Sequence, residues 1–240
     1  MDATAHRDHL RTEAAAFAGT ARLGLDAPVP SCPKWTVGEL VEHLGRVLRW
    51  VVRHLDEPSA ERVEWVAAGD PDPGDDLVGW YDERIAELLQ RIDTSGPDAV
   101  VSTFLGPQPV SWWTRRQAHE TAVHRWDAEN AHGAARPIDA ALASDGIDEY
   151  LGMRGRRKGA LDHVGGTIHL HCTDVDGEWF LSFDQGTASV ERQHRKGDVA
   201  ARGPASDLQL LVWGRLPISG VDVIGDQAVL DRWLHGVAPQ

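Results

Sequence analysis

The chain has 240 residues, 42% apolar and 25% charged, the composition of a soluble globular protein with one large domain or two small ones. Its net charge of −13 argues against a dominant nucleic-acid-binding role, because a phosphate backbone demands clustered Lys and Arg. No apolar run reaches the length of a membrane span and the N-terminal stretch lacks a signal-peptide core, so the expected location is cytoplasmic, with no membrane partner.

The first 150 residues have helical periodicity. Leu10, Ala14, Phe17 and Ala21 share one face of a helix predicted from Asp2 to about Ala21, and Pro28 to Pro33 breaks the pattern. Thr36 followed by Glu39 makes a capping box. The helix it opens carries Leu40, Val41, Leu44, Val47, Leu48, Val51 and Leu55 on an apolar stripe, with His43 at its border. Pro71 to Asp76 is an expected loop. A third helix is predicted from about Leu77 to Ile92 and a fourth from about Val110 to Ala131. Four such helices suggest an up-and-down bundle.

The basic run Arg154 to Lys158 marks a linker, or less simply an anion contact at a domain junction. After about Gly159 the period changes to two. Thr167 to Cys172 and Glu178 to Phe183 alternate around a turn at Asp176 and Gly177. Thr187 to Gln193 and Val199 to Arg202 continue as short strands. Pro204 to Trp213 is a predicted helix, Val221 to Ile224 a strand, and Asp226 to Leu234 a closing helix. The predicted fold class is therefore α+β: a four-helix bundle over residues 1–150, then a small mixed α+β domain over residues 160–240. Cys32 and Cys172 lie far apart with no motif around either, so no disulfide framework is expected.

The fourth helix carries the densest chemistry. His119 and Glu120 invite a zinc-peptidase reading, but the next histidine, His124, comes one residue too late. Five residues turn a helix by about 140°, so His119 and His124 cannot face one metal from an unbroken helix. Glu120 and His124 are four apart and are neighbours. Trp113, Gln117, Glu120, His124 and Asp127 form one stripe, which is mostly polar. Either it faces solvent, with Arg116 and Glu120 as an exposed pair, or a metal and a polar pocket satisfy it inside the bundle. His43 favours the second, since two His and one carboxylate make a three-ligand site with an open position, although a lone His on an apolar border is more ordinarily a satisfied core residue. Asp127 can orient a ligand or be an ordinary polar helix residue. His169 and His171 share one face of a strand. They could be ligands or thiol-contacting groups, or more ordinarily a pair facing solvent or a domain interface.

Three segments carry a family resemblance: Val29 to His43; Glu120, His124 and Asp127 together; and Gly203 to Arg215. In order, they resemble the mycothiol-dependent maleylpyruvate isomerase family, within the DinB-like group of metal-binding four-helix bundles, with a sterol-carrier-like C-terminal domain. The resemblance implies a divalent metal, usually zinc, on His43, Glu120 and His124, and mycothiol as cosubstrate or cofactor. It also implies a C-terminal Arg near the active site, assigned to Arg215. The alternative for Arg215 is a cation closing its helix. Catalytic roles thus fall to Arg215 and Asp127, and the partners are a small-molecule thiol and a small electrophile.

Metal-bound thiols lose their proton, which suits S-transfer or isomerisation. A non-haem iron oxygenase could use the same ligand types, but that chemistry usually sits on a β-barrel, which the helical half cannot supply. A third possibility is a non-catalytic protein binding a metal or an apolar ligand. The residues do not name the electrophile or the oligomeric state.

Overall fold

The computed structural model describes residues 1–57, 63, 65, 72–154, 161, 163–184 and 187–237. They divide into two compact units, Met1–Arg136 and Pro137–Gln240. Among the described residues no helix is long and apolar enough to cross a membrane.

The first unit holds four long helices: α1 (Ala3–Ala21), α2 (Val37–Asp56), α3 (Leu77–Ser95) and α4 (Val110–Ala131). Their starts are written locally. Asp2, Thr36 and Asp76 each accept a backbone N–H of the first turn, and Thr36 and Glu39 form the reciprocal capping box. Two short strands, β1 (Val100–Val101) and β2 (Gln108–Pro109), pair antiparallel ahead of α4. The apolar stripe of α2 is buried from Leu40 through Val52. Each such Leu or Val stabilises the fold by roughly 1.5–3 kcal/mol over the exposed state.

The helices do not form the plain up-and-down bundle expected from the sequence. Each of α1 and α2 packs chiefly on α3 and α4, while α1 touches α2, and α3 touches α4, only lightly. The diagonal pairs across the bundle are therefore α1 with α2 and α3 with α4, while α2 and α3 are neighbours. Directions follow from specific contacts. Arg7 meets Asp93 and Arg22 meets Asp82, so α1 and α3 are antiparallel. Gly45 lies against Trp80, Arg49 bonds Glu87 and Arg91 reaches Asp56, so α2 and α3 are parallel. Arg125 bonds Glu13, and His6 packs on His119, so α1 and α4 are parallel. The order is up, down, down, up. Parallel α2 and α3 require the chain to return about 30 Å, which explains why some twenty residues, 57–76, separate them.

The second unit begins with α5 (Ala140–Arg154), which packs on α6 (Ala205–Val212). The expectation set the end of the helical half near residue 150, whereas the contacts put the break between Arg136 and Pro137. The sequence pattern does not resolve α5 well, because its buried Leu142, Ile147, Tyr150 and Leu151 are interrupted by Gly146 and run into a basic, glycine-containing stretch. Residues 155–158 of that stretch, and residue 71 of the expected loop, lie outside the described residues.

A five-stranded sheet follows, formed by β3 (Thr167–Cys172), β4 (Glu178–Asp184), β5 (Thr187–Glu191), β6 (Val199–Gly203) and β7 (Asp222–Gly225) in the order β5-β4-β3-β6-β7. Only β3 and β6 pair in parallel. One sheet face buries Ile168, Leu170, Trp179, Leu181, Val199 and Ala201 toward α6 and α7 (Gln227–Val237). Trp179 also donates to Asp148 of α5 at 2.6 Å. The whole is an α+β protein, as the change in period predicted.

Candidate functional site

Three side chains of the first unit converge between α2 and α4. His43 Nε2 lies 3.6 Å from Glu120 Oε1, and His124 Nε2 lies 3.4 Å from the same oxygen. The two imidazole rings meet edge to face at 5.4 Å, and one donor atom from each residue falls within 4.8 Å of the others. The one-turn spacing on α4 aligns Glu120 with His124. The antiparallel run of α2 beside α4 brings His43 opposite them.

The cluster is held from outside. Asp127 is fully buried, one turn beyond His124, and its Oδ2 sits 2.9 Å from His124 Nδ1. That contact leaves Nε2 of His124 turned to the cluster, an arrangement typical of metal-ligating histidines. Ser31, in the loop before α2, donates to the other Asp127 oxygen. Arg116 pairs with Glu120 Oε2, which leaves Oε1 toward the histidines. Arg116 is itself buried, so the pair is not the exposed i, i+4 pair weighed from the sequence. Trp35 packs on His43 at 4.8 Å between ring centroids. The helical stripe pointed to Asp127; only the four-residue spacing of Arg116 hinted at its part, and nothing in the pattern marked Ser31 or Trp35.

The donor set fits a divalent cation: two imidazole nitrogens and one carboxylate oxygen, with a carboxylate behind one imidazole. His119 turns away to α1, fully buried against His6 at 5.8 Å. The chain's own Cys172 is a poor nucleophile, because burial pushes its thiol up to about 12.

Arg215 belongs to the second unit. Its backbone N–H bonds Leu210 O, and Gly214, at φ +70°, bonds Leu211 O, which closes α6 in a Schellman motif. The Arg215 guanidinium donates to Trp213 O at 2.8 Å.

Fold and cluster together define an α+β protein whose helical unit carries a His–Glu–His set between two helices. A family model described as the mycothiol maleylpyruvate isomerase N-terminal domain matches residues 6–129, and one described as the MDMPI C-terminal domain matches residues 161–232. The chain belongs to the mycothiol maleylpyruvate isomerase family. Its fold is similar to a crystal structure of the mycothiol-dependent maleylpyruvate isomerase, at TM-score 0.64 and 14% identity over 93% of each chain. A histidine-to-alanine mutant of that enzyme matches at TM-score 0.62, again with 14% identity over 93% of each chain. At this identity the likeness speaks for the fold alone. No curated protein sequence matches the chain.

Proposed function

We propose that this chain is a metal-dependent enzyme that uses mycothiol to act on a small electrophilic substrate, with isomerisation of an activated double bond as the leading reaction. One observation carries the reading: His43, Glu120 and His124 turn one donor atom each to a common point, and Asp127 backs His124. Family membership supports the thiol. His43, Glu120 and His124 are the proposed ligands of a divalent cation, most simply zinc. Such a cation supplies Lewis acidity, which converts a thiol of ordinary pKa about 8.5 into thiolate at neutral pH.

The protein's own groups do the positioning. Asp127 fixes the tautomer of His124. Arg116 neutralises one oxygen of Glu120 and holds the other in place. Trp35 covers one face of His43 and limits its motion. Arg215 is the proposed contact for an anionic group of the electrophile, although its bond to Trp213 O competes with that role.

The test is product analysis by mass spectrometry. The full chain is supplied with Zn(II), mycothiol and a panel of small electrophiles that includes maleylpyruvate. An isomerase returns the thiol unchanged with a rearranged product, whereas an S-transferase yields the thioether. Glu120→Gln and His124→Ala should each lower thiol-dependent turnover by about 100-fold or more, since losing even a supporting group costs 10–100-fold. Turnover without thiol, or full turnover in both variants, contradicts the reading. Metal and thiol binding without any turnover favours a non-catalytic binding protein. Arg215→Ala should reduce turnover of an anionic electrophile with metal content unchanged.

A further inference from the structure

The second unit has its own cluster of metal-ligating side chains. On β3, His169 and His171 project from the sheet face opposite the apolar core. Across the ladder, Glu178 of β4 is the register partner of His171 and Phe180 that of His169, so all four share that face. A fourth ligand-type residue, His194, arrives from the strap 192–198. Its position follows from topology. β5 lies at one edge of the sheet and β6 lies beyond β3, so the chain between them must pass over β4 and β3. Arg195 of the strap stacks on Phe180, with its guanidinium carbon 4.4 Å from the ring centre.

The four groups are close but poorly satisfied by one another. Glu178 lies 2.7 Å from His171 Nδ1, 2.8 Å from His194 Nδ1 and 3.6 Å from His169 Nε2. Only the His194 contact is a hydrogen bond. Nδ1 of His171 and Nε2 of His169 are both buried and without a hydrogen-bond partner, and His169 is only 5% exposed. An unpartnered buried nitrogen costs about 1–3 kcal/mol. Two of them aimed at one carboxylate, with a third imidazole brought in on the strap, have one common remedy. One donor atom from each of the four residues falls within 4.8 Å of the others. A cavity of about 430 Å³, lined in part by His171, Glu178 and Arg192, opens beside the cluster and gives access from solvent.

We propose that His169, His171, Glu178 and His194 form a second divalent-cation site, suited to Zn(II), that fastens the strap 192–198 to the sheet. Three imidazoles and a carboxylate are ligands that zinc accepts, and four protein ligands complete its tetrahedral shell. With no position left for water or substrate, the site is structural. It is independent of the bundle cluster in both ligands and role.

The test uses the full chain, stripped with a chelator, reloaded with Zn(II) and desalted before metal analysis. His43→Ala/His124→Ala removes the bundle cluster, and His169→Ala/His194→Ala removes this one. The His43→Ala/His124→Ala protein should retain one zinc per chain, and adding His169→Ala/His194→Ala should abolish it. X-ray absorption of the retained zinc should show nitrogen and oxygen donors only. Trypsin supplies a second readout, because Arg192, Arg195 and Lys196 lie on or beside the strap: Zn(II) should slow cleavage there in the unaltered chain and not in His169→Ala/His194→Ala. If the quadruple variant loses its circular dichroism signal, Glu178→Gln in the His43→Ala/His124→Ala background replaces it and should weaken zinc binding about tenfold or more. Absence of zinc from the His43→Ala/His124→Ala protein overturns the proposal. So does zinc binding that His169→Ala/His194→Ala and Glu178→Gln leave unchanged. A chain whose only zinc persists without His43 and His124 supports this site and counts against the bundle one, so the two fail separately.

Discussion

At the scale of single residues, α4 is unusual in burying charge as well as apolar surface. Arg125 sits between Glu13 and Glu129, with hydrogen bonds of 2.7 and 2.8 Å. Burial alone would raise the Glu129 carboxyl, but the bonds from Arg136 and Arg125 outweigh it and hold the group below the usual carboxylate range. His54 is enclosed by Trp50 and Trp113, and its Nδ1 lies 2.7 Å from the Ser102 hydroxyl. Burial lowers it from 6.5 to about 4, against the opposing effect of the Ser102 backbone, and the nearby Arg53 charge adds to the lowering.

The sign of the linkage is definite. Below about 6.5 the unfolded chain takes up a proton at this position and the folded chain does not, so stability should fall as pH drops from 6.5 toward 4. Between about pH 7 and pH 5 the loss should be on the order of 2 kcal/mol. His54→Gln keeps a hydrogen-bonding side chain but cannot titrate, so urea unfolding of this variant should show a shallower pH dependence. An identical pH dependence in variant and parent would remove His54 from the account.

At the scale of elements, the contact between α2 and α3 depends on an absent side chain. A Cβ at Gly45 would run into the Trp80 ring. Trp80 is itself buried, so it has little room to yield. Ala is the better helix former by about 1 kcal/mol, but overpacking a filled core costs about 1–3 kcal/mol. Gly45→Ala should therefore destabilise the protein by up to about 2 kcal/mol in chemical denaturation. Equal or higher stability would mean that Trp80 can move aside. The helix starts were legible in advance because capping is local: Thr36 and Glu39 lie within one turn of each other, and their reciprocal bonds formed as the pattern predicted. The pairing of α2 with α3 was not legible. A glycine in a helical pattern does not announce which ring it admits.

At the scale of the whole molecule, the two proposed cation sites predict two Zn(II) per chain. A chelator should lower the melting temperature, and Zn(II) should restore it. Each site at a free-ion concentration 100 times its Kd contributes about 2.7 kcal/mol to the protein that binds it. Calorimetry of the stripped chain titrated with Zn(II) should resolve both sites. A stoichiometry of one, or a melting temperature indifferent to Zn(II), would remove at least one of them.

The sequence by itself determined what depends on near neighbours along the chain. The change of period near residue 160 separated helical from sheet structure. The spacing of Glu120 and His124 aligned their side chains, and the five-residue gap from His119 sent that ring to the opposite side of α4. Family resemblance pointed to His43, but periodicity alone put it only at the border of an apolar stripe. Tertiary structure decided the rest, because those outcomes depend on which distant segments pack together. The up, down, down, up order sets α2 antiparallel to α4 and so brings His43 to Glu120. The contacts of α5 with α6 assign it to the second unit. The crossing of the strap over β3 and β4 turns two alternate histidines on a strand, an ambiguous pair in the sequence, into three imidazoles around one carboxylate. Periodicity records the face on which a residue lies; only packing determines what that face meets.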